Sequence, residues 1–173
     1  MSETTLSVAA LNALPETDAR VAFGRCCGAW AWGRLMAARR PFADRAAVIA
    51  AAESIWKDLP PEVWREAFHH HPRIGDLDSL RKRFAATADL ASREQASVAT
   101  AAAATLEALA EGNRAYEEKF GYIFIICATG RSADEMLAAL RVRLANDAAT
   151  EIRNAGGEQM KITRLRLERM LAA

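Results

Sequence analysis

Apolar positions recur at helical spacing through most of the chain, and proline, glycine and capping residues punctuate them. Leu6 to Leu14 forms a short amphipathic segment closed by Pro15. Asp18 stands where it can cap a helix carrying Val21 and Phe23, and Gly28 ends or bends that helix. Trp30 to Ala38 continues as helix until Arg39-Arg40-Pro41 breaks the pattern. Asp44 caps a helix predicted over Arg45 to Trp56, with Val48, Ile49, Ala52 and Trp56 on its apolar face. Pro60-Pro61 places a proline at a first helical position, ahead of Val63, Trp64, Ala67 and Phe68.

Periodicity stops from His69 to Asp78 and resumes in a short helical piece from Leu80 to Ala86. Ser92-Arg93-Glu94-Gln95 reads as a capping box, and the Ala-rich helix it opens is predicted to run to about Glu111, where Gly112 stops it. Asn113 to Phe120 reads as a further helix, ended by Gly121. Tyr122 to Cys127 is apolar and β-rich, a pattern shared by strands and buried helices. Ser132-Ala133-Asp134-Glu135 is a second capping box, opening a helix to about Asn146. Thr150 can cap a last helix to about Leu171, weakened by Gly156-Gly157. The sum is an all-α chain, one domain over residues 1–173, an irregular bundle of roughly eight helices.

Composition strengthens the helical reading. The chain holds 39 Ala against 14 Val and Ile together, and alanine favours helix where β-branched residues favour strand. A 51% hydrophobic share excludes a disordered chain. A net charge of +1 argues against a nucleic-acid footprint or a polybasic membrane surface. No apolar run approaches the ~20 residues of a membrane span. The N-terminal stretch lacks the pattern of a signal peptide, and Leu171-Ala172-Ala173 is no peroxisomal address. Cys26, Cys27 and Cys127 are an odd number, as expected of reduced thiols in a cytoplasmic protein.

Three features could carry chemistry. The first is His69-His70-His71-Pro72. Consecutive histidines point in different directions, which disfavours a metal set, and a solvated run at a helix end is the plainer alternative. His71 stands apart because Pro72 pushes it out of the α region, onto a corner where an imidazole can act as general acid or base. The second is the box at Ser92, whose helix start offers backbone N–H groups to an anion and which does not need Glu94 for capping. The third is Arg166, spaced with Ile162 and Met170 on one helical face. It either snorkels to water or waits inward for a carboxylate. The four tryptophans read most simply as core, and Cys127 as a small buried hydrophobe.

These segments together resemble one family. Phe68-His69-His70-His71-Pro72-Arg73-Ile74-Gly75-Asp76, then Ser92-Arg93-Glu94-Gln95, then Asn113 with Tyr116 to Phe124, and the tail from Glu158 to Leu167 are similar to the OHCU decarboxylases. The likeness runs from about Leu11 to Leu171. Members of that family decarboxylate 2-oxo-4-hydroxy-4-carboxy-5-ureidoimidazoline (OHCU) to (S)-allantoin in uric acid degradation. The resemblance implies His71 and Glu94 as catalytic residues, His71 as acid/base and Glu94 as a partner of the substrate or of His71. It implies substrate binding by Pro72, Ser92, Gln95, Ile126, Cys127, Ala128, Thr129, Gly130 and Arg166. The chain departs from the family where one residue, not two, separates Ser92 from Glu94, where Thr129 replaces an arginine, and where Gly28-Ala29-Trp30 replaces Ser-Pro-Trp. The resemblance further implies a cofactor-free, metal-free cytoplasmic bacterial homodimer acting on a small molecule, without nucleic-acid or membrane partners. Two alternatives have other signatures: a His-rich metal-dependent hydrolase would need ligands beyond His69 to His71, and a non-catalytic helical interaction module would tolerate loss of His71 and Glu94.

Overall fold

A computed structural model of the chain describes residues 5–71 and 95–172, with side chains described from residue 103 onward in the second stretch. Among the described residues there are eight helices and no strand, as the alanine-rich, β-poor composition predicts. The chain divides into two compact units, Met1–His70 with Gly156–Ala173, and His71–Ala155.

The first unit holds α1 (Val8–Ala13), α2 (Glu16–Cys27), α3 (Trp30–Ala38), α4 (Arg45–Asp58) and α5 (Pro61–His69), with the later turns of α8 (Ala148–Met170). Local chemistry sets the ends. Ser7 caps α1 by accepting the Ala10 N–H, and Asp44 caps α4 by accepting the Ala47 N–H. Pro61 starts α5 at the position where a missing N–H costs nothing. Asp18 does not cap α2: the helix begins two residues earlier after Pro15, and Asp18 lies in its first turn, where a carboxylate still favours the dipole. Arg40 seals α1 by donating to the carbonyls of Leu11, Asn12 and Leu14 at 2.9, 3.2 and 2.7 Å.

Aromatic side chains fill the core of this unit. Trp32 is fully buried against the edge of Phe23, and its indole N–H donates to Ala52 O at 3.1 Å. Trp56 stacks on Trp64 and donates to Gly156 O at 2.9 Å. Each buried indole is thus satisfied as well as packed. Trp30 is the exception to the expectation that all four tryptophans are core, since it remains 63% exposed.

The second unit holds α6 (Gln95–Phe120), α7 (Ala133–Leu144) and the first turns of α8. Gly112 does not stop α6, which runs through it to Phe120 as one helix. A Cβ at Gly112 would come 2.7 Å from Leu140 Cδ2 on α7. The glycine is there to admit a neighbouring helix, and helix continuity outweighs its modest intrinsic penalty. The capping box at Ser132 and Glu135 is present in both directions. At the head of α8, Asp147 rather than Thr150 is the capping side chain, accepting the Thr150 N–H at 2.8 Å. Tyr122 to Cys127 is neither strand nor helix: it is a non-repetitive stretch with Phe124, Ile125 and Ile126 buried.

Candidate active site

Five pieces of the first unit meet around an open pocket of about 450 Å3. The last turn of α2 contributes Arg25, the turn after it Gly28, the start of α3 Trp30, the residue after α5 His70, and α8 Arg166. The turn exists because Gly28 closes α2 in the left-handed conformation, with φ +90°. Its missing side chain is also needed for packing, since His70 occupies the space a Cβ would take.

Side chains of α8 satisfy the open carbonyls at the end of α2. Arg166 Nη1 donates to Cys26 O at 3.2 Å, and Gln159 Nε2 donates to Cys27 O at 3.3 Å. Neither alternative for Arg166 foresaw this helix C-terminus as its partner. Arg166 is half-buried, its guanidinium is anchored on a helix C-terminus, and it forms part of the pocket wall. Burial pushes the Cys27 thiol up to about 11 against the lowering pull of the Ala29 N–H, the Thr163 hydroxyl and the Arg166 charge. Cys27 therefore remains a thiol near neutrality and is no nucleophile. With Arg25 and Arg166 as cations, His70 as a donor or acceptor, and Val21 and Trp30 as apolar walls, the pocket suits a small planar anion.

The histidine triplet is divided by the end of α5. His69 is the last helical residue and exposed, His70 follows as the C-cap, and His71 lies beyond the helix, half-buried. Pro72, Ser92 and Glu94, and the short helix expected over Leu80 to Ala86, lie outside the described residues. Gln95 is the first residue of α6, and its side chain lies outside the described set.

In the second unit the segment Ile126 to Gly130 emerges from the core toward the surface. Ile126 is buried, Cys127 and Ala128 are half-buried, and Thr129 and Gly130 are exposed. The expectation that Cys127 is a small buried hydrophobe is thus corrected to a half-buried thiol. Gly130, at φ +76°, completes a turn in which Arg131 N donates to Ala128 O at 3.2 Å.

Behind this segment lies a buried ionic cluster that the sequence patterns do not reveal. Arg143 Nε and Nη2 donate to one oxygen of Glu151 at 2.8 and 2.6 Å. Arg143 Nη1 donates to Ile125 O at 2.7 Å. The Tyr116 hydroxyl also donates to Glu151, and Asn146 Nδ2 reaches the other carboxylate oxygen at 2.9 Å. Burial alone would raise the Glu151 pKa, yet the bonds from Arg143, Tyr116 and Asn146 hold it below the ordinary carboxylate value. Burial and the Glu151 carboxylate push the Tyr116 hydroxyl upward, so it stays a donor. Arg143 and Glu151 sit eight residues apart on different helices, a spacing that marks no periodic pair.

No group of His, Cys, Asp and Glu among the described residues could hold a metal ion, and none of their helices is long and apolar enough to cross a membrane.

Comparison with known proteins gives a consistent set of likenesses. The family model described as OHCU decarboxylase matches residues 12–168. The chain is 38% identical over 149 residues to the uric acid degradation bifunctional protein TTL of Arabidopsis thaliana, covering 85% of this chain and 45% of that protein. It is 32% identical over 130 residues to a 2-oxo-4-hydroxy-4-carboxy-5-ureidoimidazoline decarboxylase of Amia calva, covering 75% of this chain and 73% of the relative. The chain thus spans less than half of the plant protein it matches and about three quarters of the fish one. Among solved structures, the crystal structure of OHCU decarboxylase in the presence of (S)-allantoin aligns with a TM-score of 0.70 and 36% identity, over 87% of this chain and 97% of that one. A crystal structure of (S)-allantoin synthase shares the fold, with a TM-score of 0.66 and 21% identity over 94% of this chain and 53% of that one.

Proposed function

The chain belongs to the OHCU decarboxylase family, and on that footing we propose that it decarboxylates OHCU to (S)-allantoin in uric acid degradation. The observation that carries this reading is the 36% identity and TM-score of 0.70 to an OHCU decarboxylase crystallised with (S)-allantoin, over 97% of that chain. Residues 12–168 match a single family model, which supports treating the chain as one functional domain.

The chemistry makes modest demands on the protein. Breaking the bond to the carboxylate leaves an electron pair on the hydroxyl-bearing carbon. That pair forms a double bond to the neighbouring ring carbon, whose C=N bond passes its electrons to nitrogen. The substrate is its own electron sink, so the reaction asks for neither a metal nor an organic cofactor. The nitrogen takes up a proton, another is delivered to the carbon bearing the ureido group, and the hydroxyl loses its proton as the carbonyl forms.

His71 is the acid/base for these transfers: an imidazole changes charge near neutrality, and the likeness of His69-His70-His71-Pro72 to the family's motif supports that role. Glu94 orients the substrate hydroxyl or His71. Arg166 pairs with the substrate's negative charge from its anchored position on the α2 carbonyl. Gln95 and the backbone of Ile126 to Gly130 read the ureido and ring amide groups, and Pro72 and Ser92 are further substrate-binding residues. Orientation against one face gives the protonation its handedness. The enzyme works as a cytoplasmic homodimer, as the family resemblance implies.

The test is to add the purified chain at catalytic concentration to freshly generated OHCU and follow both its ultraviolet absorbance and released CO2. Accelerated loss with one CO2 per substrate is expected. Loss at the spontaneous rate would overturn the reading.

A further inference from the structure

The buried cluster of the second unit raises a question its energetics do not answer. Replacing a buried ion pair by apolar side chains is often neutral or stabilising, so Arg143 and Glu151 are poorly explained by stability. What they do is grip the backbone. The stretch from Tyr122 onward has no helical or strand ladder to fix its peptide planes. Arg143 Nη1 supplies the missing constraint at one place, the carbonyl of Ile125, at 2.7 Å.

That carbonyl shares a planar peptide with the N–H of Ile126. Fixing the direction of Ile125 C=O therefore fixes the opposite direction of the Ile126 N–H, the first amide of the segment Ile126–Gly130. The guanidinium cannot easily turn. Two of its N–H groups are committed to Glu151, and its face lies over the Phe124 ring, 4.6 Å from the centroid. Glu151 is itself held by Tyr116 and Asn146. Tyr116, Asn146 and Glu151 thus act on that peptide plane through Arg143.

We infer that Arg143, locked by Glu151 and Tyr116, is a positioning residue that sets the backbone of Ile126–Gly130 for substrate recognition. This rests on the proposed role of that segment in reading the ureido and ring amides. A lysine at 143 can reach the carboxylate or the carbonyl but lacks the fork that holds both.

The experiment combines kinetics on OHCU with amide hydrogen exchange on Arg143→Lys and Tyr116→Phe. For Arg143→Lys, KM should rise about tenfold or more while kcat changes less, the scale expected of a displaced binding group. Exchange should quicken at the amides of Ile126 to Arg131 and stay unchanged along the middle of α6. A merely structural role predicts a lower Tm, faster exchange throughout the unit and an unaltered KM, and that result overturns the inference. If Arg143→Lys does not fold, Tyr116→Phe decides. It keeps the ring and removes one tether from Glu151, so faster exchange at the same amides is expected, and unchanged exchange overturns the inference. Should the wild-type chain leave OHCU untouched, the decarboxylase reading fails, while the exchange pattern still decides what Arg143 does to the backbone.

Discussion

Gly28 and His70 fill one corner of the pocket between them: a Cβ on Gly28 would lie 3.0 Å from His70 Cβ and 3.1 Å from its Cδ2. Two constraints meet at this glycine, the crowding and a φ of +90° that side chains rarely adopt. Gly28→Ala should therefore cost about 1–3 kcal/mol of stability. It should also displace His70, and with it the neighbouring His71, so kcat/KM should fall further than the lowered Tm accounts for. Gly157→Ala is the control, since its Cβ meets nothing within 4 Å and alanine suits a helix. Thermal melts and steady-state kinetics on the pair check this; equal behaviour would remove Gly28 from any positioning role.

The triplet should not act as a unit. His71→Asn should lower turnover by roughly 10²-fold or more, the usual scale of a lost acid/base. His69 is exposed at the end of α5, and His69→Asn should stay within about tenfold of wild type. His70→Asn should act mainly on KM, because its ring forms pocket wall. Initial rates over a range of substrate concentration separate the three.

Arg166 and Arg169 offer a matched comparison on one helix. Arg166 is half-buried and anchored on Cys26 O, whereas Arg169 is exposed. Arg166→Lys should lower kcat/KM by roughly 30-fold, which corresponds to the lower end of ~2–5 kcal/mol for a disrupted buried charge pair. Arg169→Lys should be neutral. Equal tolerance at both positions would show that Arg166 serves the α2 carbonyl and not the substrate.

Glu151 gives the fold a defined pH dependence. Its folded-state pKa is held below the ordinary value of 4.5, so the cluster contributes fully above that value and is lost as pH falls through the folded pKa. Acid titration of the wild type should show stability falling below about pH 4.5. Glu151→Gln, which leaves Arg143 buried without its counter-charge, should lose ~3–5 kcal/mol near neutrality and show a shallower acid slope. Denaturant midpoints measured across that range decide; a variant as stable as wild type at neutral pH would contradict the account of the cluster.

What the sequence made legible was local chemistry. The box at Ser132, the cap at Asp44, the proline at Pro61 and the stop at Gly28 each depend on neighbours within four residues, and each forms as expected. What stayed hidden depends on the opposite side of a packing contact. Gly112 reads as a terminator until Leu140 is seen against it. Tyr122 to Cys127 reads as strand or buried helix because nothing local announces that Arg143 will hold the Ile125 carbonyl. Trp30 looks like core by its periodicity, yet it borders an open pocket. The proposed site residues follow the same division: the motif points to His71, whereas Arg25, Gly28 and Trp30 line the pocket only through tertiary placement.

The most direct test of the central claim is the circular dichroism of allantoin formed from fresh OHCU by the wild-type chain beside His71→Asn. The account predicts rapid appearance of the (S) signal with wild type, and with the variant a slow reaction giving little net signal. Racemic allantoin formed at the spontaneous rate in the presence of the wild-type chain would contradict it.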